Sequence, residues 1–252
     1  MTFVSTLRFQ ALVAALAATT LTAAAHAGTE ATLLVDADSG KVLHAENATM
    51  PWYPASTSKL MTVYVTLQAV KNKRLTLDTL FTVSGRAASQ APSKIGFKPG
   101  TQITVDNALK ILMVKSANDM AVVLAEGVSG SVEQFSDEMN STSKNLGMTQ
   151  SSWVNPNGLP ADEQISSARD LAILARALLH DFPEYDMYWH IPAIQLGKKT
   201  MRNFSTSMAN PCMPAIAFST AAITDGLSLS PTGTVMKPRR VTTTTSAPTA
   251  AW

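Results

Sequence analysis

A single cysteine, Cys212, in 252 residues leaves no partner for an internal disulfide, so the fold has to be held by packing rather than by covalent staples. A catalytic thiol is disfavoured at the same residue, because no histidine stands in a recognisable partner motif for it. Histidine is scarce as well. His26, His44, His180 and His190 show neither H-E-x-x-H nor any comparable ligand spacing, which sets aside a zinc peptidase and leaves them as surface or helix-end residues. Aromatics make up 6% of the chain and the formal net charge is only +2, so there is neither a stacking platform nor a basic stripe for nucleic acid. The cluster Lys237-Pro238-Arg239-Arg240 is read as a solvated stretch rather than a polymer-binding patch.

What the chain does have is apolar substance, with 46% hydrophobic residues and a mean hydropathy of +0.08, enough for one domain with a core of its own. Its first 27 residues read as an export signal: Arg8, the apolar run Phe9 to Leu21, then the small-residue site Ala25-His26-Ala27, with cleavage expected after Ala27. That run falls short of the roughly 20 apolar residues of a spanning helix and is interrupted by Thr19 and Thr20. Leu33 to Val35, the turn residues Asp36 to Gly40, and Val42 to His44 predict a β-hairpin. Pro51 and Pro54 bracket an extended loop, and Ser56 opens a segment through Val70 that is apolar on nearly every side and is therefore expected to be buried. Thr101 to Val105 is a short strand or helix entry before the apolar helical face of Ala108, Leu109, Ile111 and Leu112. Further helices are expected from Met120 to Glu126, from Ser131 with Gln134 as a capping box, and from Ser167 to His180. Strands first and helices after them predict an α+β or α/β domain whose closing strands follow from about Ile194.

The chemistry starts at Ser56-Thr57-Ser58-Lys59. A serine hydroxyl is a poor nucleophile until a neighbouring base takes its proton, and this spacing sets an amine one helical turn beyond a hydroxyl, on the same face. Burial among apolar neighbours disfavours the ammonium, which makes Lys59 a candidate base near neutral pH. Backbone N–H groups at the start of the helix are candidate donors to a developing oxyanion. The S-x-x-K pattern recurs at Ser141-Thr142-Ser143-Lys144, but there the polar run Asn140 to Asn145 near a helix end reads as a solvated face. The second candidate element, Ser116-Ala117-Asn118, falls in a break between two helices, where side chains can face a cleft; its plain alternative is a helix-to-helix turn with Asp119 as N-cap.

Five strings in order then resemble one family. They are Pro54-Ala55-Ser56-Thr57-Ser58-Lys59-Leu60-Met61-Thr62, Gly96-Phe97-Lys98-Pro99-Gly100, Lys115-Ser116-Ala117-Asn118-Asp119, Asn155-Pro156-Asn157-Gly158-Leu159 and Ser167-Ala168-Arg169-Asp170. Over residues 30 to 204 the chain is similar to the low-molecular-mass serine D-alanyl-D-alanine carboxypeptidases, the penicillin-recognising group that combines S-x-x-K with an S-x-N element and K-T-G. The resemblance implies a β-lactamase/transpeptidase-like fold, an antiparallel sheet flanked by helices beside a helical subdomain. It implies that Ser56 forms an acyl-enzyme, Lys59 is the general base, Ser116 relays a proton and Asn118 binds the substrate peptide amide. The implied substrate is the peptidoglycan stem pentapeptide, from which the terminal D-alanine is removed in the periplasm or cell envelope, with β-lactams as covalent inhibitors. No metal or diffusible cofactor is implied. A β-lactamase would need a deacylating base such as the E-x-x-x-N of class A enzymes, and no Glu here precedes Asn at that spacing.

The family pattern breaks after Thr200-Met201-Arg202-Asn203-Phe204. It calls for a strand bearing Lys-Thr-Gly or Lys-Ser-Gly, and the chain has neither; Asp225-Gly226-Leu227 with Pro231-Thr232-Gly233 is a distant echo, and Lys199-Thr200 an imperfect substitute. From Ser205 the composition turns to Ser, Thr, Ala and Pro. Two readings stand, a low-complexity tail or a shifted reading frame that replaced the closing strands, and the second is preferred because the break falls inside a catalytic domain. The expected organisation is a signal at 1–27, a partial catalytic domain at 28–204 with doubtful closing strands, and an atypical tail at 205–252.

Overall fold

Helix α1 (Lys59–Lys71) is the axis around which the rest packs. Its residues Met61, Val63, Val65 and Leu67 are all but inaccessible, and even Thr62 and Thr66 are enclosed, as expected for a helix apolar around its circumference. A short 3-10 turn over Ala55–Ser58 leads into it. In this computed structural model the described residues are 31–203 together with the strand at 215–219.

Against α1 lie α4 (Asn118–Ser129), α5 (Val132–Leu146) and α6 (Ala168–Asp181), and α3 (Val105–Lys115) packs on α4. Side chains of all five, among them Leu109, Met120, Phe135 and Leu174, form one apolar cluster with Trp153 and Phe182. The caps follow the sequence signals. Ser131 Oγ accepts from Gln134 N at 3.1 Å and Ser167 Oγ from Asp170 N at 3.1 Å, each satisfying an amide that the first helical turn leaves without a carbonyl. Midway along α1, Tyr64 sits edge-on to Phe182 with ring centroids 5.0 Å apart and donates its hydroxyl to Asp181 at 2.6 Å.

The hairpin forms as predicted, β1 (Thr32–Asp36) pairing antiparallel with β2 (Val42–Glu46) through an irregularity between Leu34 and Val35. Leu33 and Val35 turn to Ala168 and Ala172 of α6, which makes a second, smaller core. Arg176 of α6 clamps the hairpin turn by donating to the carbonyls of Ala37 and Asp38. Two short antiparallel pairs lie outside this sheet, β3 (Leu80–Thr82) with β4 (Gln102–Thr104) and β5 (Ala193–Leu196) with β6 (Lys199–Arg202). A one-turn helix α2 (Gly85–Ala88) follows β3, and a 3-10 segment over Pro183–His190 leads from α6 to β5.

Strands do follow from about Ile194, but the first two of them do not close the main sheet. Ile194 lies opposite Met201 and Gln195 opposite Thr200 in a hairpin of their own, which packs on α3 instead of joining β1. The third strand of the main sheet is β7 (Ala215–Ser219), antiparallel to β1 from Thr32 opposite Ser219 to Asp36 opposite Ala215, in the sheet order β2-β1-β7. It arises inside the Ser/Thr/Ala/Pro-rich segment, where a five-residue run is too short to stand out against its surroundings by periodicity. The export signal, Cys212 and the Asp225 to Gly233 echo lie outside the described residues.

Candidate active site

Ser56 lies on the 3-10 turn rather than on α1 itself, and it is exposed, whereas Lys59 on the first turn of α1 is only 5% exposed. The spacing still brings them together, with Lys59 Nζ 3.3 Å from Ser56 Oγ. Lys59 Nζ also donates to the backbone carbonyl of Asn157 at 2.6 Å. Among the described residues no carboxylate makes an ion pair with this ammonium. Desolvation therefore acts unopposed and pulls its pKa from 10.5 down to about 7. In the neutral amine one N–H serves the Asn157 carbonyl and the lone pair is left for the serine proton. The Ser56 N–H donates to no carbonyl among the described residues and is available to an oxyanion. The preceding residue, Ala55, holds φ +47°, a left-handed conformation that costs a non-glycine residue roughly 1 kcal/mol and is often found beside reactive groups.

The Asn155-Pro156-Asn157-Gly158 turn, one of the five family strings but given no site role from the sequence, supplies this pocket's wall. Thr62 of α1 donates to the Pro156 carbonyl at 2.6 Å, and Gly158 N bonds Asn155 Oδ1 at 2.7 Å. Gly158 itself has φ +79°, and a Cβ there would stand 1.8 Å from the carbonyl oxygen of Ala55. The turn and the Ser56 segment thus touch backbone to backbone, which only glycine permits. Gly158→Ala is expected to force them apart, lowering stability by roughly 2–4 kcal/mol, since the nearest atoms belong to backbone and not to the end of a flexible side chain. Urea unfolding of the variant would measure it, and a loss below about 0.5 kcal/mol would contradict the close approach.

Ser116 and Asn118 sit where α3 gives way to α4. Ser116 adopts φ +51°, ψ +38°, ending α3 and turning the chain into α4, whose N-cap is Ala117. Asp119 is therefore not a cap. Fully buried, it accepts at Oδ2 from the amides of Ile95 and Gly96 at 3.0 and 2.9 Å, which anchors the 89–98 loop. That loop in turn holds Asn118: its Nδ2 donates to the carbonyls of Ala91 and Pro92 at 3.0 and 3.2 Å, and its backbone N–H to Ser93 O at 2.7 Å. With both amide hydrogens so committed, Asn118 presents its carbonyl oxygen as the open hydrogen-bonding atom. Among the described residues no hydrogen bond joins Ser116 or Asn118 to Ser56 or Lys59; the link between the two halves runs through Asn157 Nδ2, which donates to Gln90 Oε1 of the same loop at 2.8 Å. A small, open cleft lined by Arg86, Gln90, Asn157 and Leu159 lies beside this bridge.

The second S-x-x-K copy has a different fate. Ser141 and Lys144 are exposed and share no hydrogen bond among the described residues, but Thr142 and Ser143 are buried. Ser143 Oγ accepts from Trp153 Nε1 at 2.6 Å, and Asn140 pins the Trp153 backbone from both sides. The run is thus only half solvated, its other half serving to fix Trp153, and sequence periodicity had no means to show that partner. Among the described residues no cluster of His, Cys, Asp or Glu fits a metal, and no helix is long and apolar enough to cross a membrane.

Residues 17–216 match the Peptidase S11 model, described as D-alanyl-D-alanine carboxypeptidase. The chain belongs to the S11 peptidase family. Among its S11 relatives, D-alanyl-D-alanine carboxypeptidase DacC of Escherichia coli is 40% identical over 158 residues, 60% of this chain and 40% of that protein. The structure of penicillin binding protein 6B from Escherichia coli superposes with a TM-score of 0.68 at 31% identity, covering 73% of this chain and 60% of that one. Penicillin-binding protein D2 from Listeria monocytogenes, solved in a cefotaxime-bound form, gives a TM-score of 0.60 at 28% identity over 69% of this chain and 71% of its own. The fold is accordingly the mixed α/β one of the penicillin-binding proteins, as the motifs implied. This S11 chain spans about two-fifths of the length of the curated relatives it matches, DacC among them.

Proposed function

We propose that this chain is an exported serine-type D-alanyl-D-alanine carboxypeptidase, which trims the terminal D-alanine of peptidoglycan stem peptides through an acyl-enzyme on Ser56. The observation that carries the reading is the 3.3 Å approach of a buried, desolvated Lys59 amine to an exposed Ser56 hydroxyl. Neutral Lys59 removes the hydroxyl proton as Oγ bonds to the carbonyl carbon of the penultimate D-alanine. The resulting oxyanion takes the Ser56 N–H as one donor. The C–N bond then breaks, and the departing D-alanine amine recovers the proton from Lys59, with Ser116 as the relay. Water repeats the sequence on the acyl-serine and releases the shortened peptide. Asn118, oriented by Ala91 and Pro92, binds the substrate amide chain. A β-lactam acylates Ser56 by the same first step, with its ring amide in place of the peptide bond. Export to the periplasm or envelope is supported by Arg8, the apolar run and Ala25-His26-Ala27.

A second reading, a relative that is acylated by penicillin but turns over slowly, is favoured by one observation: no Lys-Thr-Gly or Lys-Ser-Gly stands anywhere in the sequence. Loss of one oxyanion donor alone costs about 10² to 10³ in rate. A fluorescent penicillin and a D-Ala-D-Ala-terminated pentapeptide separate the two readings, since covalent label without D-alanine release is the signature of the impaired form. In either case acylation requires the neutral amine. Its rate is expected to fall about tenfold per pH unit below the Lys59 midpoint near 7 and to level off above it. Stopped-flow labelling from pH 5 to 9 measures this, and a rate flat across that range would remove Lys59 from the role of base.

A further inference from the structure

Gln164 is 1% exposed and every atom of its amide is used. Its Oε1 accepts from the backbone amides of Val154 and Asn155 at 2.8 and 3.1 Å. Its Nε2 donates to the Asn155 carbonyl at 3.1 Å and to Ser58 Oγ at 3.0 Å. The first three bonds hold the strand-like entry to the Asn155–Gly158 turn; the fourth crosses to the 3-10 turn between Ser56 and Lys59. Lys59 hydrogen-bonds to the same two segments, at Ser56 Oγ and the Asn157 carbonyl, so Gln164 is a second cross-link between them, made by a side chain that takes no part in the chemistry. Ser58 is itself fully buried, so this bond is shielded from water, in which it would be worth least.

We infer that Gln164 is a positioning residue for acylation, a buried amide cross-link that keeps the Asn157 carbonyl seated on Lys59 and Lys59 seated beside Ser56. The inference rests on the proposed roles of Ser56 and Lys59. The physical argument concerns geometry and water together. A lone-pair donor must lie within hydrogen-bond reach of the proton it takes, and the Asn157 carbonyl fixes which way the Lys59 amine faces. That carbonyl belongs to a loop whose own backbone amides at positions 154 and 155 are satisfied by Gln164 and by nothing else in the described hydrogen-bond network. Without the amide, the N–H groups of Val154 and Asn155 and the buried Ser58 hydroxyl need water, and water admitted between the turn and α1 reaches Lys59. The ammonium is then solvated and harder to deprotonate. The groups facing Lys59 are the Ser56 hydroxyl and the Asn157 carbonyl, with no charged partner to offset such a change.

The test uses the full chain as wild type, Gln164→Met and Ser58→Ala. Met keeps the length of the side chain and removes all four bonds; Ala removes only the bond that crosses to the Ser56 segment. Fluorescent-penicillin labelling gives the acylation rate, and ¹³C NMR of Lys59 gives its midpoint directly, whether or not the variant is acylated. The expected result for Gln164→Met is acylation slowed about 10- to 100-fold with the Lys59 midpoint raised by about one unit, because a base displaced by even about an ångström from its proton loses rate on that scale. Ser58→Ala is expected to move both readouts the same way by a smaller amount, and it decides the matter if Gln164→Met does not fold. A residue that merely stabilises the domain would lower the unfolding midpoint and leave the Lys59 titration where it was. An unmoved titration and rate in the folded variants overturn the inference. A wild type that takes no label overturns the proposed function instead, and the NMR midpoints still report on Gln164.

Discussion

Ser56→Ala is expected to abolish covalent capture of penicillin while leaving the fold intact. The side chain is exposed and its Oγ touches one polar group, Lys59 Nζ, so its removal takes away the attacking atom and little else. Stability should change by no more than about 0.5 kcal/mol, as for a surface substitution away from the core. Chemistry has no such tolerance. Without Oγ there is no acyl-enzyme, and D-alanine release should fall by about 10⁴ to 10⁶, the range in which other serine enzymes lose their nucleophile. Reversible binding is unaffected, because Asn118 and the backbone donor at position 56 remain. Mass spectrometry of the labelled peptide supplies the decisive reading. Label in the wild type should map to the peptide containing Ser56, and it should be missing from the variant. Label that persists, and maps to the peptide containing Ser141, would transfer the nucleophile to the second S-x-x-K copy and dismiss the present assignment.

How much of this was legible in the sequence depends on how local each relationship is. The Ser56 and Lys59 pair was, because three residues on a helical turn bring the two together whatever the rest of the chain does. The caps at Ser131 and Ser167 were legible for the same reason, and so was the hairpin of β1 and β2. Asn157 and Gln164 were not. Their partners lie 98 and 106 positions away, and a window around Asn155 to Gly158 shows only that the chain turns, not that a carbonyl in the turn will meet a lysine. Asp119 departs from the role of cap for a related reason. A carboxylate at a helix start has two ordinary uses, and only the 89–98 loop, brought in from elsewhere, decides between them. Ser143 shows the opposite case, a polar residue that local pattern assigns to solvent because its indole partner is ten residues away in a segment with no periodicity. The third sheet strand is hidden because five residues of Ala, Ile, Phe and Ser signal a strand only when β1 is known to need a neighbour.

Lys59→Met should separate function from stability, and in opposite directions. Acylation is expected to fall by about 10² to 10⁴, the contribution of a positioned general base. The folded state, in contrast, gains at low pH. A lysine whose folded midpoint is depressed from 10.5 to about 7 opposes folding, since the native state binds its proton less firmly than the unfolded chain does. The sign follows from linkage. Below pH 7 both states are protonated and the full cost of burying the charge is present, about 5 kcal/mol for a displacement of this size. Between 7 and 10.5 the native amine is neutral while the unfolded one is still charged, and the cost is relieved as pH rises; above 10.5 it is gone. Met at this position never carries the charge, but it leaves the Asn157 carbonyl without its donor at every pH, a loss of about 1–3 kcal/mol. The variant should therefore be more stable than the wild type by about 2–4 kcal/mol at pH 6 and less stable by about 1–3 kcal/mol at pH 11. Urea unfolding at the two pH values measures the crossing. A variant that is the less stable protein at pH 6 would mean that Lys59 is not charged at a cost in the native state, and an amine that is not destabilised as a cation has no reason to act as a base at neutral pH.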